Sequence, residues 1–82
     1  MLINLYSQRD LKTRFSEPVP DLNDDSAIRN FTFSLRNAND IRAFMPADFQ
    51  LFRVGQFNTA TGELIPCLPV LLIDGVSAYG KE

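Results

Sequence analysis

Histidine does not occur in this chain of 82 residues, and cysteine occurs once, as Cys67. Without histidine the chain lacks the usual proton shuttle at neutral pH and the commonest metal ligand. One cysteine cannot form a zinc site, and neither a Cys–His nor a Ser–His nucleophile is available. A lone thiol also argues for a reducing compartment, and its apolar surroundings predict a buried, inert side chain. We therefore expect no metal and no cofactor.

Long hydrophobic runs and glycine-rich loops are missing as well. No stretch of about 18 apolar residues is present, and residues 1–6 are too short for the core of a signal peptide. Neither a Walker-type nor a dinucleotide-binding glycine pattern occurs. The adjacent acids Asp24 and Asp25 are explained by helix capping, so no carboxylate pair indicates acid–base catalysis. We expect an intracellular protein that is not an enzyme and does not contact a membrane.

The length of the chain allows one domain, covering residues 1–82, with a small core. Such a domain buries only about 60% of the surface that its unfolded chain exposes, so its stability is marginal. Because disulfides are excluded, we expect support from homo-oligomerisation. The net charge of −2 is weak evidence against coating of nucleic acid, but six of the eight basic residues are arginine. Arginine suits phosphate contact and stacking, so local basic surfaces are compatible with the acidic total.

Patterns along the chain predict an α+β domain. The apolar segment 2–6 indicates a first strand, and the charged, proline-containing segment 7–23 indicates an irregular connection. Residues 23–26, Asn-Asp-Asp-Ser, form a helix-start signal with two acids at the positive end of the helix dipole. This signal predicts a helix over 26–37.

The predicted helix has two different faces. Arg29, Phe33 and Arg36 recur at spacings of four and three on the outer face. A contact with nucleic acid or with protein would explain this stripe. In a nucleic-acid contact, the arginines would bind phosphate and the phenylalanine would stack on a base. A solvated face whose phenylalanine is covered by the 7–23 connection is the alternative. The opposite, apolar face is predicted to pack on the sheet through Ile28, Phe31 and Leu35.

Within residues 49–62, the first nine residues alternate with period 2 and are followed by a polar loop closed by glycine, which predicts a β-hairpin. Alternation places Phe49, Leu51 and Phe57 on one face of its first strand and Phe52 and Val54 on the other. Two interpretations stay open. One is an aromatic platform for single-stranded bases, and the other is a core on one face with a subunit interface on the other.

The C-terminal third is predicted to consist of two short strands and a tail. A second hairpin strand over 63–68 contains Pro66, which favours a sheet edge, and Pro69 is predicted to redirect the chain. The apolar segment 70–73 is a candidate extra strand, and 76–82 is predicted to be a flexible tail. The expected architecture is a small, mostly antiparallel sheet in β-α-β-β order with one packed helix.

Two sets of candidate site residues follow from these patterns. The predicted nucleic-acid-binding residues are Arg29, Phe33, Arg36, Arg53 and Phe52. The predicted oligomer-interface residues are Phe52, Val54, Val70 and Leu72. The two sets are compatible if a dimer forms a groove. No catalytic and no metal-binding residue is predicted.

Four short segments carry a resemblance to a known family: AIRNF at 27–31, PADFQLF at 46–52, GQF at 55–57 and TG at 61–62. Their order and spacing resemble the small nonstructural protein of gokushovirus-type microviruses, which are single-stranded DNA bacteriophages. The resemblance covers roughly residues 1–65, and the apolar segment 68–73 departs from it.

The resemblance implies a nonstructural phage protein, made in the cytoplasm of the bacterial host, that binds DNA during viral single-stranded DNA synthesis or packaging. It implies no catalytic residues. We therefore expect single-stranded DNA as the partner. The alternative is a homo-oligomeric protein-interaction module that contacts the phage replication initiator or a host factor, as the acidic total and the apolar 70–73 segment suggest.

Overall fold

A four-stranded antiparallel sheet forms the centre of the computed structural model, which describes residues 1–79. The strands are β1 (Leu2–Asp10), β2 (Val19–Asp21), β3 (Phe49–Asn58) and β4 (Leu64–Asp74), in the spatial order β2-β1-β3-β4. Helix α1 (Asp24–Arg36) covers one face of the sheet. Two short helices, α2 (Ile41–Phe44) and α3 (Gly75–Tyr79), and one 3-10 turn (Pro46–Asp48) complete the described part. The predicted α+β class and antiparallel sheet are confirmed.

The first strand is longer than its apolar segment. β1 pairs with β3 from Leu2 opposite Asn58 to Asp10 opposite Phe49, so its polar second half is held by backbone hydrogen bonds. The prediction of an irregular segment over 7–23 is therefore wrong for residues 7–10 and 19–21, which lie in strands, and is confirmed for residues 11–18, which lie in no strand or helix. The chain turns after β1, where the Thr13 amide donates to the Asp10 carbonyl at 2.9 Å, and returns as β2.

Helix α1 forms as its cap signal predicts. The side chain of Asn23 accepts a hydrogen bond from the Ser26 amide at 2.8 Å, and the two acids lie in the first turn. The predicted inner face is confirmed, since Phe31 and Leu35 are buried and Ile28 is partly buried. This face meets the sheet in a core that comprises Tyr6, Ala27, Phe31, Leu35, Phe49, Leu51 and Ala78.

Helix α3 corrects the prediction of a tail that starts at residue 76. Residues 75–79 are helical, and Ala78 is 3% exposed within the core. The Asp74 carboxylate accepts a hydrogen bond from the Ser77 amide at 2.8 Å, and this bond lowers the pKa of Asp74. Residues 80–82 of the predicted tail lie outside the described residues.

Strand β4 runs through both of its prolines, so the prediction that Pro69 ends one strand and 70–73 forms another is wrong. The predicted edge position is confirmed, because β4 pairs only with β3 in the described sheet. An edge strand tolerates the missing amide hydrogens of Pro66 and Pro69. The observed order of strands and the main helix is therefore β-β-α-β-β.

A bulge at Val54 changes which side chains share a face. Tyr6 lies opposite Arg53, but Leu5 lies opposite Gly55, so Val54 is an extra residue in β3. An extra residue reverses the alternation beyond it. Phe57 therefore lies opposite Ile3 on the face away from α1, and the prediction that it shares a face with Phe49 and Leu51 is wrong.

Substitution of Gly75 by alanine is expected to destabilise the fold. A Cβ atom at this position would lie 1.9 Å from the Pro46 carbonyl oxygen and 2.9 Å from that of Phe49, and backbone atoms cannot move aside easily. We expect Gly75→Ala to lower the free energy of unfolding by about 1–3 kcal/mol or more, measured by urea denaturation.

The matched control is Gly62→Asn in the hairpin loop. Gly62 has a φ of 80°, and a Cβ atom there would have no neighbour within 4 Å among the described residues, so only the left-handed backbone matters. Asparagine tolerates this conformation, and a small effect is expected. Equal stability of Gly75→Ala and wild type would contradict the close packing of α3.

Candidate functional site

The outer face of α1 presents a basic and aromatic stripe, which we define as Arg29, Phe33 and Arg36. All three residues are exposed, and Phe33 is 70% exposed. Together with Thr32 and Asn37 they line a shallow groove along the helix. The alternative prediction, that the 7–23 connection covers this phenylalanine, is wrong because the connection packs elsewhere.

The two arginines of the stripe form no ion pair with any residue in 1–79. Of the carboxyl groups in residues 1–79 whose pKa is shifted, that of Asp21 is the one affected by an arginine of the stripe, Arg29. The pKa of Asp21 is lowered first by the Ser26 hydroxyl, then by the Asn30 amide, and least by the charge of Arg29. Both guanidinium groups are therefore available to an anionic ligand.

Arg53 lies apart from this stripe, on the helix-covered face of β3. Its Nη1 atom donates to the Oδ2 atom of Asp24 in the first turn of α1. The charge of Arg53, a predicted phosphate-binding residue, is thus already balanced by the carboxylate of Asp24. The pair joins the centre of the sheet to the start of the helix.

A chain of hydrogen bonds extends from this ion pair across β1. The hydroxyl of Tyr6 donates to the Oδ1 atom of Asp24 at 2.7 Å and accepts from the Nδ2 atom of Asn4 at 3.0 Å. The Nε2 atom of Gln56 donates to the Oδ1 atom of Asn4 at 3.2 Å. We call Gln56, Asn4, Tyr6, Asp24 and Arg53 the polar chain.

The polar chain is not evident from the sequence, because helix capping alone accounts for an acid at position 24. The cap is Asn23, which leaves the carboxylate of Asp24 free to face the sheet. One signal was available: Asn4 and Tyr6 are two residues apart in a strand, so they share a face. Which carboxylate they meet depends on how the helix docks.

Burial is the main cause that raises the pKa of Tyr6 from 10.0 to about 12, and the hydrogen bond to Asp24 is the second. Tyr6 is 1% exposed, so its ionised form would lose hydration and face a carboxylate. The hydroxyl therefore stays protonated over the physiological range and keeps donating to Asp24.

Phe52 lies on the opposite face of the sheet from α1. Its ring meets the ring of Phe15 edge to face, with centroids 5.2 Å apart and planes at 64°. The guanidinium carbon of Arg9 lies 5.3 Å from the Phe15 centroid, where a cation is attracted by the ring face. The connection between β1 and β2 thus covers Phe52, which is half-buried.

The four predicted interface residues do not form one surface. Phe52 and Val54 face away from α1, and Val54 lines a shallow apolar groove with Phe15, Pro18 and Pro69. Val70 lies opposite Arg53 and so faces the helix side.

A further register shift, between β3 and β4, explains the position of Leu72, the fourth predicted interface residue. Leu51 lies opposite Ile73 and Phe52 lies opposite Leu71, so Leu72 is an extra residue and packs against the core. Leu71, not Leu72, lies beside Phe52. Cys67 is exposed in the same strand, so the prediction of a buried thiol is wrong.

The fold defines a small α+β domain with one sheet face covered by a helix and the other partly covered by a connection. A family model described as Phage ORF5 protein matches residues 3–78. The chain therefore belongs to the Phage ORF5 protein family, a family of small phage-encoded proteins. No curated protein and no solved structure matches the chain significantly.

Two further findings concern the described part of the chain. None of the helices in residues 1–79 is long and apolar enough to cross a membrane. Over the same residues, no three His, Cys, Asp or Glu side chains lie close enough together to hold a metal ion.

The raised pKa of Tyr6 predicts a loss of stability at high pH. Because the folded protein holds the proton more tightly than the unfolded chain, the extra stability is fully present below pH 10.0 and is lost as pH rises to about 12. The slope is at most about 1.4 kcal/mol per pH unit. Urea denaturation from pH 9 to pH 12 should show this fall for the wild type and not for Tyr6→Phe.

Tyr79→Phe is the control for this experiment, since Tyr79 is 38% exposed and takes no part in the polar chain. It should retain the fall in stability. A Tyr6→Phe variant with the same pH dependence as the wild type would contradict the buried hydrogen bond to Asp24.

Proposed function

We propose that this phage protein binds single-stranded DNA without catalysing a reaction, through the stripe on the outer face of α1. The observation that supports the proposal is the exposure of Phe33 between two arginines that have no internal ion pair within residues 1–79. The resemblance to gokushovirus-type nonstructural proteins implies that this binding takes place in the cytoplasm of the bacterial host, during genome synthesis or packaging.

The geometry of the stripe suits a flexible, anionic strand. Arg29 and Arg36 are seven residues apart, which is about 10 Å along a helix, with Phe33 between them. Arginine forks bind phosphate oxygens in a bidentate manner, and an exposed aromatic ring gives a base a face on which to stack. Single-stranded binding needs only these two elements, because stacking accepts every base.

The charges elsewhere limit the strength of this interaction. The chain carries ten acidic and eight basic residues. Within residues 1–79 Arg14, Arg42 and Arg53 already lie beside acids. Phosphate contact therefore depends on few side chains, and binding is expected to be salt-dependent with a shallow slope.

Removal of the two stripe arginines should weaken binding and flatten its salt dependence. Each phosphate contact on a single strand contributes about −0.7 to the slope of log K against log salt. Arg29→Ala/Arg36→Ala should therefore reduce the slope by about 1.4 in fluorescence-anisotropy titrations of a labelled oligonucleotide at two salt concentrations.

Matched controls separate the stripe from net charge and from exposed aromatic area. Lys12→Ala/Arg14→Ala removes the same charge from the connection after β1 and should keep the slope. Phe33→Ala should weaken binding about tenfold, since stacking contributes about 1–3 kcal/mol per base. Phe44→Ala, at a position 80% exposed on α2, should not. Salt-independent binding, or no binding at low salt, would overturn the proposal.

Self-association through β4 is the second candidate function, as part of a module that also contacts the replication initiator or a host factor. Residues 64–73 contain no charged side chain. Three of their leucines are exposed, Leu64 at 67%, Leu68 at 88% and Leu71 at 49%. An uncharged apolar edge is matched by a second copy of itself, and its two prolines favour contact through side chains over added strands.

Leu68→Lys should shift the protein to monomer in sedimentation-velocity runs at high concentration, because a charge would be buried in the interface. Leu22→Lys is the control, since Leu22 is 86% exposed in the loop before α1 and lies outside β4. A wild type that sediments as a monomer at high concentration would exclude the β4 interface.

A further inference from the structure

A cleft opens between β3 and β4 where the two strands leave register. Arg53 lies opposite Val70 and Gly55 lies opposite Pro66, so three residues of β4 span the place of one in β3. The excess length makes β4 arch away from its neighbour. The cleft has a volume of about 400 Å³, which lies within the range of small-molecule sites.

Gly55 allows the strands to close again beyond the arch. A Cβ atom there would lie 2.7 Å from the Ile65 carbonyl oxygen, so no other residue fits without moving the β4 backbone. The cleft is therefore bounded by a close approach of the two strands at one end and by the Arg53–Val70 pair at the other.

The walls of the cleft combine amide and apolar groups. Polar groups come from Asn4, Arg53 and Gln56 of the polar chain, and apolar groups from Ile65, Pro66 and Val70. The only charge among these six is that of Arg53, and Asp24 balances it. A neutral, flat, polar-edged molecule fits this lining better than a phosphate does.

The polar chain fixes the orientation of the Gln56 amide. Asp24 accepts a hydrogen bond from the Tyr6 hydroxyl, so the Tyr6 oxygen accepts from Asn4, and the Asn4 carbonyl oxygen accepts from Gln56. Each hydrogen bond in this series fixes which atom of the next side chain donates and which accepts. The Oε1 atom of Gln56 and its second Nε2–H make no hydrogen bond with residues 1–79, so this amide keeps one acceptor and one donor for a ligand.

We propose that this cleft binds one unpaired nucleobase, with adenine preferred over thymine, and that Gln56 recognises its edge. An amide pairs with adenine through two hydrogen bonds, because its oxygen accepts from the N6 amino group and its N–H donates to a ring nitrogen. Bases of single strands are accessible for such edge contacts and for packing on side chains. The inference rests on the proposed binding of single-stranded DNA and adds base preference to it, since the stripe on α1 has none.

The test compares oligo(dA), oligo(dT) and a strand in which purine without the 6-amino group replaces adenine, at one salt concentration. The wild type should bind oligo(dA) about tenfold more tightly than the other two, as expected for one bidentate contact. Gln56→Met should bind all three alike. Gln50→Met, on the other face of the same strand, should keep the preference.

The experiment distinguishes a missing base preference from a lack of DNA binding. If all strands bind equally and Arg29→Ala/Arg36→Ala weakens all of them, the stripe stands and the nucleobase cleft is excluded. If no strand binds, deoxyadenosine is titrated while the Gln56 side-chain amide resonances are followed by NMR. A saturable shift that is missing for deoxyribose supports the cleft, and no shift excludes it.

Discussion

The arrangement of this domain depends on the two hydrogen bonds that the carboxylate of Asp24 accepts. One oxygen accepts from the Tyr6 hydroxyl and the other from Arg53, so the first turn of α1 is held above the two central strands. Residues that follow at helical spacing, Phe31 and Leu35 among them, then face the core. The stripe necessarily faces away, which makes its exposure a consequence of the same contact.

Two of the three register shifts, the bulge at Val54 and the arch of β4 opposite it, explain why the domain has more than one candidate surface. The bulge at Val54 reverses the faces of β3, and the arch of β4 opposite it opens the cleft beside Gln56. The same arch leaves Leu68 exposed at 88%. Bulges are local irregularities that redirect side chains, and here one mismatch in strand length produces both the polar cleft and the apolar edge.

The proposed surfaces have different chemistry, and we therefore propose different roles for them. The stripe on α1 offers charge and a stacking face without base preference, while the cleft offers a neutral amide edge. Phe52 belongs to neither, because Phe15 covers it. Membership of the Phage ORF5 family shows a small phage-encoded protein, and the chemistry of the surfaces carries the proposals on DNA.

The amino-acid sequence by itself determined what depends on neighbouring residues. The Asn23 cap, the two faces of α1, the hairpin and the edge position of β4 could all be predicted, because capping, helical spacing and proline act within a few residues. Only the tertiary structure decided the length of β1, the existence of β2, the bulge and the partner of Asp24. These depend on pairing between distant segments, where one extra residue moves every later side chain to the other face.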